Sequence, residues 1–179
     1  MRQIVKSLAE IKIIITGGTL DKSYNQITGE LAFENSIVPE LIQHARFQNK
    51  IQIETPFLID SLEMTELHRN QLIRCIKNSS QTKILITHGT DTIIETAQVL
   101  ENFNDSADNL SKKTIILTGA MVPARVVGSD AEFNLGASML SLNSLESGVY
   151  MCFQGQIFNP KDCIKDKSLG LFKNKLSQN

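Results

Sequence analysis

The sequence predicts a three-layer α/β/α sandwich around a mostly parallel sheet, and two observations lead to this prediction. Short runs of β-branched residues alternate with helical patterns along the 179-residue chain. Most of these runs are apolar at consecutive positions, which is typical of strands that are buried on both faces. Strands that alternate with helices indicate parallel strands covered by helices on both sides. We therefore expect one domain over residues 1–179, with flexible ends at about 1–10 and 173–179.

Strands and helices are predicted in alternation along most of the chain. The predicted strands are the β-branched runs Ile11–Thr16, Ile51–Ile59, Lys83–Thr87, Thr114–Thr118 and Val149–Gln154. The predicted helices are segments in which apolar residues recur at helical spacing and form one buried stripe. These stripes consist of Val38, Ile42 and Ala45; Leu72, Cys75 and Ile76; Ile93, Ala97 and Leu100; and Leu135, Met139 and Leu142.

Three segments depart from this alternation. Leu20–Phe33 is polar and contains Thr28-Gly29, so it is predicted to be a hairpin or a mobile loop. Asn104–Lys113 is interpreted as a polar connection between a helix and a strand. From Asn159 the chain is polar and rich in lysine, and we expect it to end in a tail that frays.

Composition excludes several classes of protein. Lys and Arg total 18 against 19 Asp and Glu, so no general attraction to nucleic acid or an anionic membrane surface is expected. Apolar runs are only a few residues long, and charged residues interrupt the first segment where a secretory signal would be apolar. The three cysteines lack metal-ligand spacing. We expect a cytoplasmic protein without a metal or cofactor.

The residues that follow the predicted strands are the candidates for a functional site. In a doubly wound sheet of the flavodoxin- or Rossmann-like kind, ligands bind beyond the carboxyl ends of the strands. The segments found there are Thr16-Gly17-Gly18-Thr19, Asp60-Ser61, His88-Gly89-Thr90-Asp91, Gly119-Ala120-Met121 and Asp162–Lys165. Hydroxyl, carboxylate and lysine side chains from several strands are therefore expected at one edge of the sheet.

Threonine chemistry fits these segments better than other mechanisms. The chain contains no GxGxxG, no phosphate-binding GxxxxGK[ST] and no GxSxG elbow. A threonine hydroxyl is a weak nucleophile that needs an adjacent base, and Asp91 and Lys165 are candidates for that role. Taken singly, each residue has a structural explanation: Thr90 and Asp91 can cap a helix, and His88 can simply pack beside a strand.

Taken together, these strings resemble the amino-terminal domain of the bacterial-type L-asparaginases, the threonine amidohydrolases, from about Ile13 to Phe172. Ile15–Thr19 is similar to the first signature of that family and Ile86–Thr92 to the second. The segment after the family's next strand is similar to Gly119-Ala120-Met121 with Pro123, followed by Ser129-Asp130-Ala131 and Asn134-Leu135. The family's substrate-binding loop is similar to Asp60-Ser61 followed by Met64-Thr65.

The resemblance implies a role for each matched catalytic residue. Thr19 matches the nucleophile on the loop that closes over the substrate, and Tyr24 is the candidate for the tyrosine that activates it. Thr90 matches the second catalytic threonine, and Asp91 matches the carboxylate that binds the substrate amino group. Lys165 matches the lysine that completes a triad with Thr90 and Asp91.

The resemblance also implies substrate-binding residues. Ser61 matches the serine that holds the substrate α-carboxylate, and backbone groups near Gly89 and Ala120 are natural donors to an oxyanion. The full predicted set for substrate binding is Gly18, Asp60, Ser61, Gly89 and Ala120. Lys161 and Lys167 remain alternatives to Lys165, and the short hairpin leaves open whether Tyr24 reaches Thr19.

The resemblance implies hydrolysis of the side-chain amide of L-asparagine to L-aspartate and ammonia. The family's chains are longer and carry a carboxyl-terminal domain, which we expect to be absent here. Two alternatives stay open: a non-catalytic module that binds an acidic amino acid, and an amidase for a bulkier amide. We expect a small-molecule amide substrate and a homodimer or larger homo-oligomer, with Phe133 and Phe153 as candidate contact residues.

Overall fold

The computed structural model describes residues 10–106 and 112–175. The strands are β1 (Ile11–Ile15), β2 (Lys22–Tyr24), β3 (Leu31–Phe33), β4 (Ile51–Glu54), β5 (Lys83–Thr87), β6 (Thr114–Thr118), β7 (Gly148–Phe153), β8 (Gln156–Phe158), β9 (Cys163–Asp166) and β10 (Leu171–Asn174). The helices are α1 (Val38–His44), α2 (Glu66–Lys77), α3 (Ile93–Asp105) and α4 (Ala131–Ser141). Two short 3-10 turns cover Thr19–Asp21 and Ser61–Glu63.

The central sheet has the strand order β4-β1-β5-β6-β7-β8. Its first five strands are parallel, and only β8 runs antiparallel to its neighbour β7. The pairing places Ile15 opposite Thr87 and Thr87 opposite Thr118, so β1, β5 and β6 end at the same level. The mixed α/β fold with a mostly parallel sheet is confirmed. The common end of these strands brings the loops that follow them together.

Helices cover both faces of the sheet. Alternate strand residues point to opposite faces, and Ile14 on β1 joins a core formed with α2 and α3. Its neighbours Ile13 and Ile15 join a second core, formed with α1 and α4. All five residues of β1 are buried, including Lys12, whose Nζ pairs with Glu54 at 2.8 Å. The two cores hold the sheet rigidly between the helix layers.

Several predicted boundaries shift in the structure. The strand predicted over Ile51–Ile59 ends at Glu54, because Pro56 lacks the N–H that a ladder needs. Leu20–Phe33 contains the antiparallel β2–β3 hairpin, which confirms the first of the two readings. Asn104 still belongs to α3, and its side chain makes two hydrogen bonds with the Lys113 backbone.

The polar, lysine-rich stretch after Asn159 forms two strands before the end of the described chain. Its β9 and β10 strands pair antiparallel, and Phe172 is only 3% exposed. The Phe172 ring lies 4.4 Å from the Phe153 ring, between centroids. The predicted flexible end at 173–179 therefore begins inside β10, and residues 176–179 lie outside the described part of the chain, as do residues 1–9. The buried Phe153 is unsuitable as an oligomer contact, whereas Phe133 is 63% exposed.

Candidate active site

Glycines let the loops after β1, β4 and β5 pack backbone against backbone. Gly18 adopts a φ of 83°, and a Cβ there would lie 2.3 Å from the Gly89 nitrogen. A Cβ on Gly89 would in turn lie 2.6 Å from Ser61 Oγ. Any larger side chain at either position would push these loops apart. The Gly18 amide donates to the Ile59 carbonyl at 3.0 Å, so Gly18 joins loops and its N–H is already occupied.

The segment that carries Thr19 is anchored on both sides. Leu20 is buried, and its carbonyl accepts a hydrogen bond from the Ala124 amide at 3.1 Å. Asp21 Oδ1 accepts hydrogen bonds from the Ser36 hydroxyl at 2.7 Å and from the Ile37 amide at 3.0 Å. Burial raises the pKa of Asp21, although both hydrogen bonds lower it. These contacts fix the segment at the start of the β2–β3 hairpin.

Thr19 itself is only partly buried, and its hydroxyl forms no hydrogen bond with any residue that the structure describes. Tyr24 lies farther along the hairpin and is 64% exposed. Within the described ranges, no hydrogen bond joins Tyr24 to Thr19 or to another side chain. The structure therefore does not bring the predicted activating tyrosine to the predicted nucleophile.

Lys165, Thr90 and Asp91 form one contact cluster. Lys165 Nζ donates to Thr90 Oγ1 at 2.7 Å and to Asp91 Oδ1 at 2.8 Å. Thr90 is 5% exposed, and the Lys165 side chain is 14% exposed. The alternative Lys161 instead pairs with Glu101 at 3.1 Å, and Lys167 is exposed beyond β9. Of the three lysines considered, Lys165 is the one that the fold brings to Thr90.

The loop after β4 completes the cluster through Ser61. The Ser61 side chain is buried, and its Oγ accepts a hydrogen bond from the Asp91 amide at 3.3 Å. The Thr92 hydroxyl donates to the Ser61 carbonyl at 2.7 Å. Two loops that are far apart in the sequence are thus tied together beside Thr90.

Asp60 is held by two donors. Its Oδ1 accepts from the Leu62 amide at 3.0 Å, and its Oδ2 accepts from Lys22 Nζ at 2.5 Å. Burial alone raises the pKa of Asp60, but the hydrogen bonds from Lys22 and Leu62 together with nearby positive charge hold it below its ordinary value. Asp60 is therefore ionised at neutral pH. Sequence reasoning missed Lys22, because a single lysine in a hairpin carries no recognisable pattern.

Backbone amides at the ends of β5 and β6 complete the set of polar groups. The Gly89 and Ala120 amides donate to none of the described residues, and both residues are buried. The loop after β6 is held by Asp130, whose Oδ1 accepts from the Met121 amide at 2.9 Å and from the Val122 amide at 3.1 Å. Such free amides can stabilise an oxyanion.

His88 is buried at the end of β5 and supports the loop that carries Gly89 and Thr90. It is fully buried, and its Nδ1 lies 2.8 Å from the Gly89 carbonyl, so Nδ1 carries the proton. Nε2 then accepts from the Thr96 hydroxyl at 2.9 Å. Burial lowers the pKa of His88 to about 4, against a hydrogen bond to Gly89 that raises it. The packing interpretation of His88 is confirmed.

The described residues include no cluster of three or more His, Cys, Asp or Glu side chains suited to a metal ion. In the same ranges, no helix has the length and apolar character to cross a bilayer.

This chain is similar to known proteins over most of its length. The family model described as Asparaginase, N-terminal matches residues 10–173. L-asparaginase 2 of Escherichia coli K12 is 28% identical over 173 residues, which cover 89% of this chain and 47% of that protein. A glutaminase-asparaginase of Pseudomonas fluorescens biotype A is 31% identical over 174 residues, covering 88% and 46%.

A similar solved structure is the thermostable L-asparaginase from Thermococcus kodakarensis. It aligns with a TM-score of 0.76 at 26% identity, over 92% of this chain and 51% of that one. The chain spans about half the length of the curated relatives that it matches.

Proposed function

The chain belongs to the asparaginase family through its N-terminal domain, and from that premise we propose that it is an amidohydrolase that converts L-asparagine to L-aspartate and ammonia with a threonine nucleophile. The observation that carries this proposal is the contact of Lys165 with both Thr90 and Asp91. An ammonium group 2.7 Å from a hydroxyl oxygen stabilises negative charge on that oxygen. A threonine in this position can therefore exchange protons during amide hydrolysis.

The proposed reaction is a double displacement. The Thr19 oxygen attacks the side-chain amide carbon, the C–N bond breaks, and the nitrogen leaves as ammonia after gaining one proton. Water then attacks the resulting ester and releases aspartate, and its proton restores the Thr19 hydroxyl. Thr90 with Lys165 handles the proton transfers, while the free Gly89 and Ala120 amides bind the oxyanion.

The same loops offer groups to the rest of the substrate. The Asp91 side chain is 37% exposed, and among the described residues its carboxylate accepts one hydrogen bond, from Lys165, so its other oxygen can bind an amino group. The Ser61 hydroxyl keeps its own proton while accepting from the Asp91 amide, so it can donate to a carboxylate. The Asp91 carboxylate and the Ser61 hydroxyl together suit a substrate that carries the amino group and the carboxylate of an α-amino acid.

The test is ammonia release by the purified full chain with L-asparagine, L-glutamine and a panel of bulkier amides. Thr19→Ala and Thr90→Val should each lower kcat for the best substrate by about 10³-fold or more. Thr28→Ala is the matched control, because Thr28 is an exposed threonine of the same hairpin. Unchanged turnover in Thr19→Ala, with all variants melting like the wild type, would refute the nucleophile assignment.

A second candidate function follows from the unpartnered Thr19 hydroxyl. A nucleophile without a base or acceptor beside it is poorly activated, and no described hydrogen bond joins Tyr24 to Thr19. The chain would then bind an acidic amino acid without hydrolysing an amide. Calorimetry that detects L-aspartate binding, in a protein that releases no ammonia from any amide of the panel, would favour this candidate.

We also propose a cytoplasmic homo-oligomer. All three cysteines are free and buried, which suits a reducing compartment. On α4, Phe133 and Leu140 are 63% and 71% exposed and offer an apolar contact surface. Sedimentation of the chain as a single species of 19.9 kDa would contradict the oligomer.

A further inference from the structure

Lys22 lies at the start of β2, directly after Asp21 and close in sequence to Thr19. Its Nζ pairs with Asp60 Oδ2 at 2.5 Å and lies 5.7 Å from the centre of the Phe33 ring. Its side chain is 22% exposed, and that of Asp60 is 28% exposed. The ion pair therefore stands at the mouth of the site, partly open to a ligand.

Lys22 balances the charge of this site. The loops bring together two carboxylates, Asp60 and Asp91, and each is paired with one ammonium group, from Lys22 and Lys165. The positive charge of Lys165 also lowers the pKa of Asp60. Without Lys22 the site would carry one excess negative charge beside Ser61. Such a site would repel an anionic ligand.

The position of the Thr19 segment does not depend on this ion pair alone. Backbone hydrogen bonds from Gly18 to Ile59 and from Ala124 to Leu20 already hold it, as does the pairing of Asp21 with Ser36. A structural role for the ion pair would therefore be redundant, and a role toward a ligand would explain why a lysine is placed there.

We propose that Lys22 supplies the counter-charge for the substrate carboxylate and thereby restricts the site to amides that carry a free carboxylate. This inference rests on the proposed amidohydrolase function. An ammonium group has three donors, and Asp60 accepts from one of them. The remaining donors can bind a carboxylate that lies against Ser61.

The experiment compares two substrates in the same ammonia-release assay. L-Asparagine carries the free carboxylate, and L-asparagine methyl ester carries none. For Lys22→Met, we expect kcat/KM for L-asparagine to fall about 10- to 100-fold, mainly through KM, and kcat/KM for the ester to change less than about threefold. Lys22→Arg should retain most of the activity on L-asparagine.

Two further variants test whether the effect of Lys22→Met comes from charge and whether it is specific to this site. Adding Asp60→Asn to Lys22→Met removes the uncompensated carboxylate, so the double variant should recover part of the lost activity on L-asparagine. Lys50→Met is the matched control, because Lys50 is an exposed lysine just before β4, at the opposite end of the sheet. It should behave like the wild type with both substrates.

The outcomes separate this inference from the proposed function. An equal loss on both substrates in Lys22→Met would overturn the inference and leave the amidohydrolase intact. A wild type that releases no ammonia from either substrate would refute the amidohydrolase, and L-aspartate calorimetry then decides the role of Lys22. Binding weakened at least about tenfold in Lys22→Met would support the counter-charge, whereas equal binding or no binding to the wild type would overturn it.

Discussion

Acidification should destabilise this protein through His88. The side chain is 0% exposed, and burial lowers its pKa from 6.5 to about 4. Below pH 6.5 the unfolded chain takes up a proton at this position, whereas the folded chain stays neutral until about pH 4. The free energy of unfolding should therefore fall by up to about 1.4 kcal/mol for each pH unit in this window. The stabilisation by neutral His88 is present above pH 6.5, and about 3 kcal/mol is lost by pH 4.

The assay is urea unfolding at several pH values between 7.5 and 4.5, followed by far-ultraviolet circular dichroism because the chain has no tryptophan. His88→Asn preserves an N–H toward the Gly89 carbonyl but does not titrate. The variant should be less stable than the wild type at pH 7.5, and this difference should shrink by about 2 to 3 kcal/mol at pH 4.5.

The control is His44→Asn, because His44 is exposed at the end of α1. It should follow the wild type over the whole pH range. A constant difference between the wild type and His88→Asn would show that His88 does not titrate in this window and would refute the reasoning.

Three further predictions concern the loops, the carboxyl-terminal hairpin and the catalytic lysine. Gly18→Ala should destabilise the fold by at least about 2 kcal/mol in urea unfolding, since a Cβ at a φ of 83° would meet backbone at 2.3 Å. Gly136→Ala, in open space on α4, should instead stabilise by about 1 kcal/mol, and similar effects at both sites would contradict this view. Phe172→Ala should cost about 3 to 5 kcal/mol of unfolding free energy, and a loss below about 1 kcal/mol would mean that the hairpin is not packed on the core. Lys165→Met should lower kcat by about 10²-fold or more with L-asparagine while Lys161→Met retains it, and the reverse order would reassign the lysine.

Much of the sheet could be predicted from local pattern. The runs Lys83–Thr87 and Thr114–Thr118 coincide with β5 and β6, because strands buried on both faces need consecutive apolar residues. Parallel strands also end at one edge, so Thr19, Ser61 and Thr90 could be expected together without any coordinates. The β9–β10 hairpin was not predicted, because a stretch rich in lysine shows no strand pattern, although Phe172 packs it on the core.

The sequence by itself determined the layered fold and the edge of the sheet where the candidate site lies, since both depend on periodicity within short segments. Only the tertiary structure decided which lysine meets Thr90, because Lys165 is 75 positions away and three lysines compete within one polar stretch. It also revealed the ion pair of Lys22 with Asp60, and within the described residues it shows no hydrogen bond between Tyr24 and Thr19. These contacts depend on how separate loops pack against one another, and no local pattern encodes that packing.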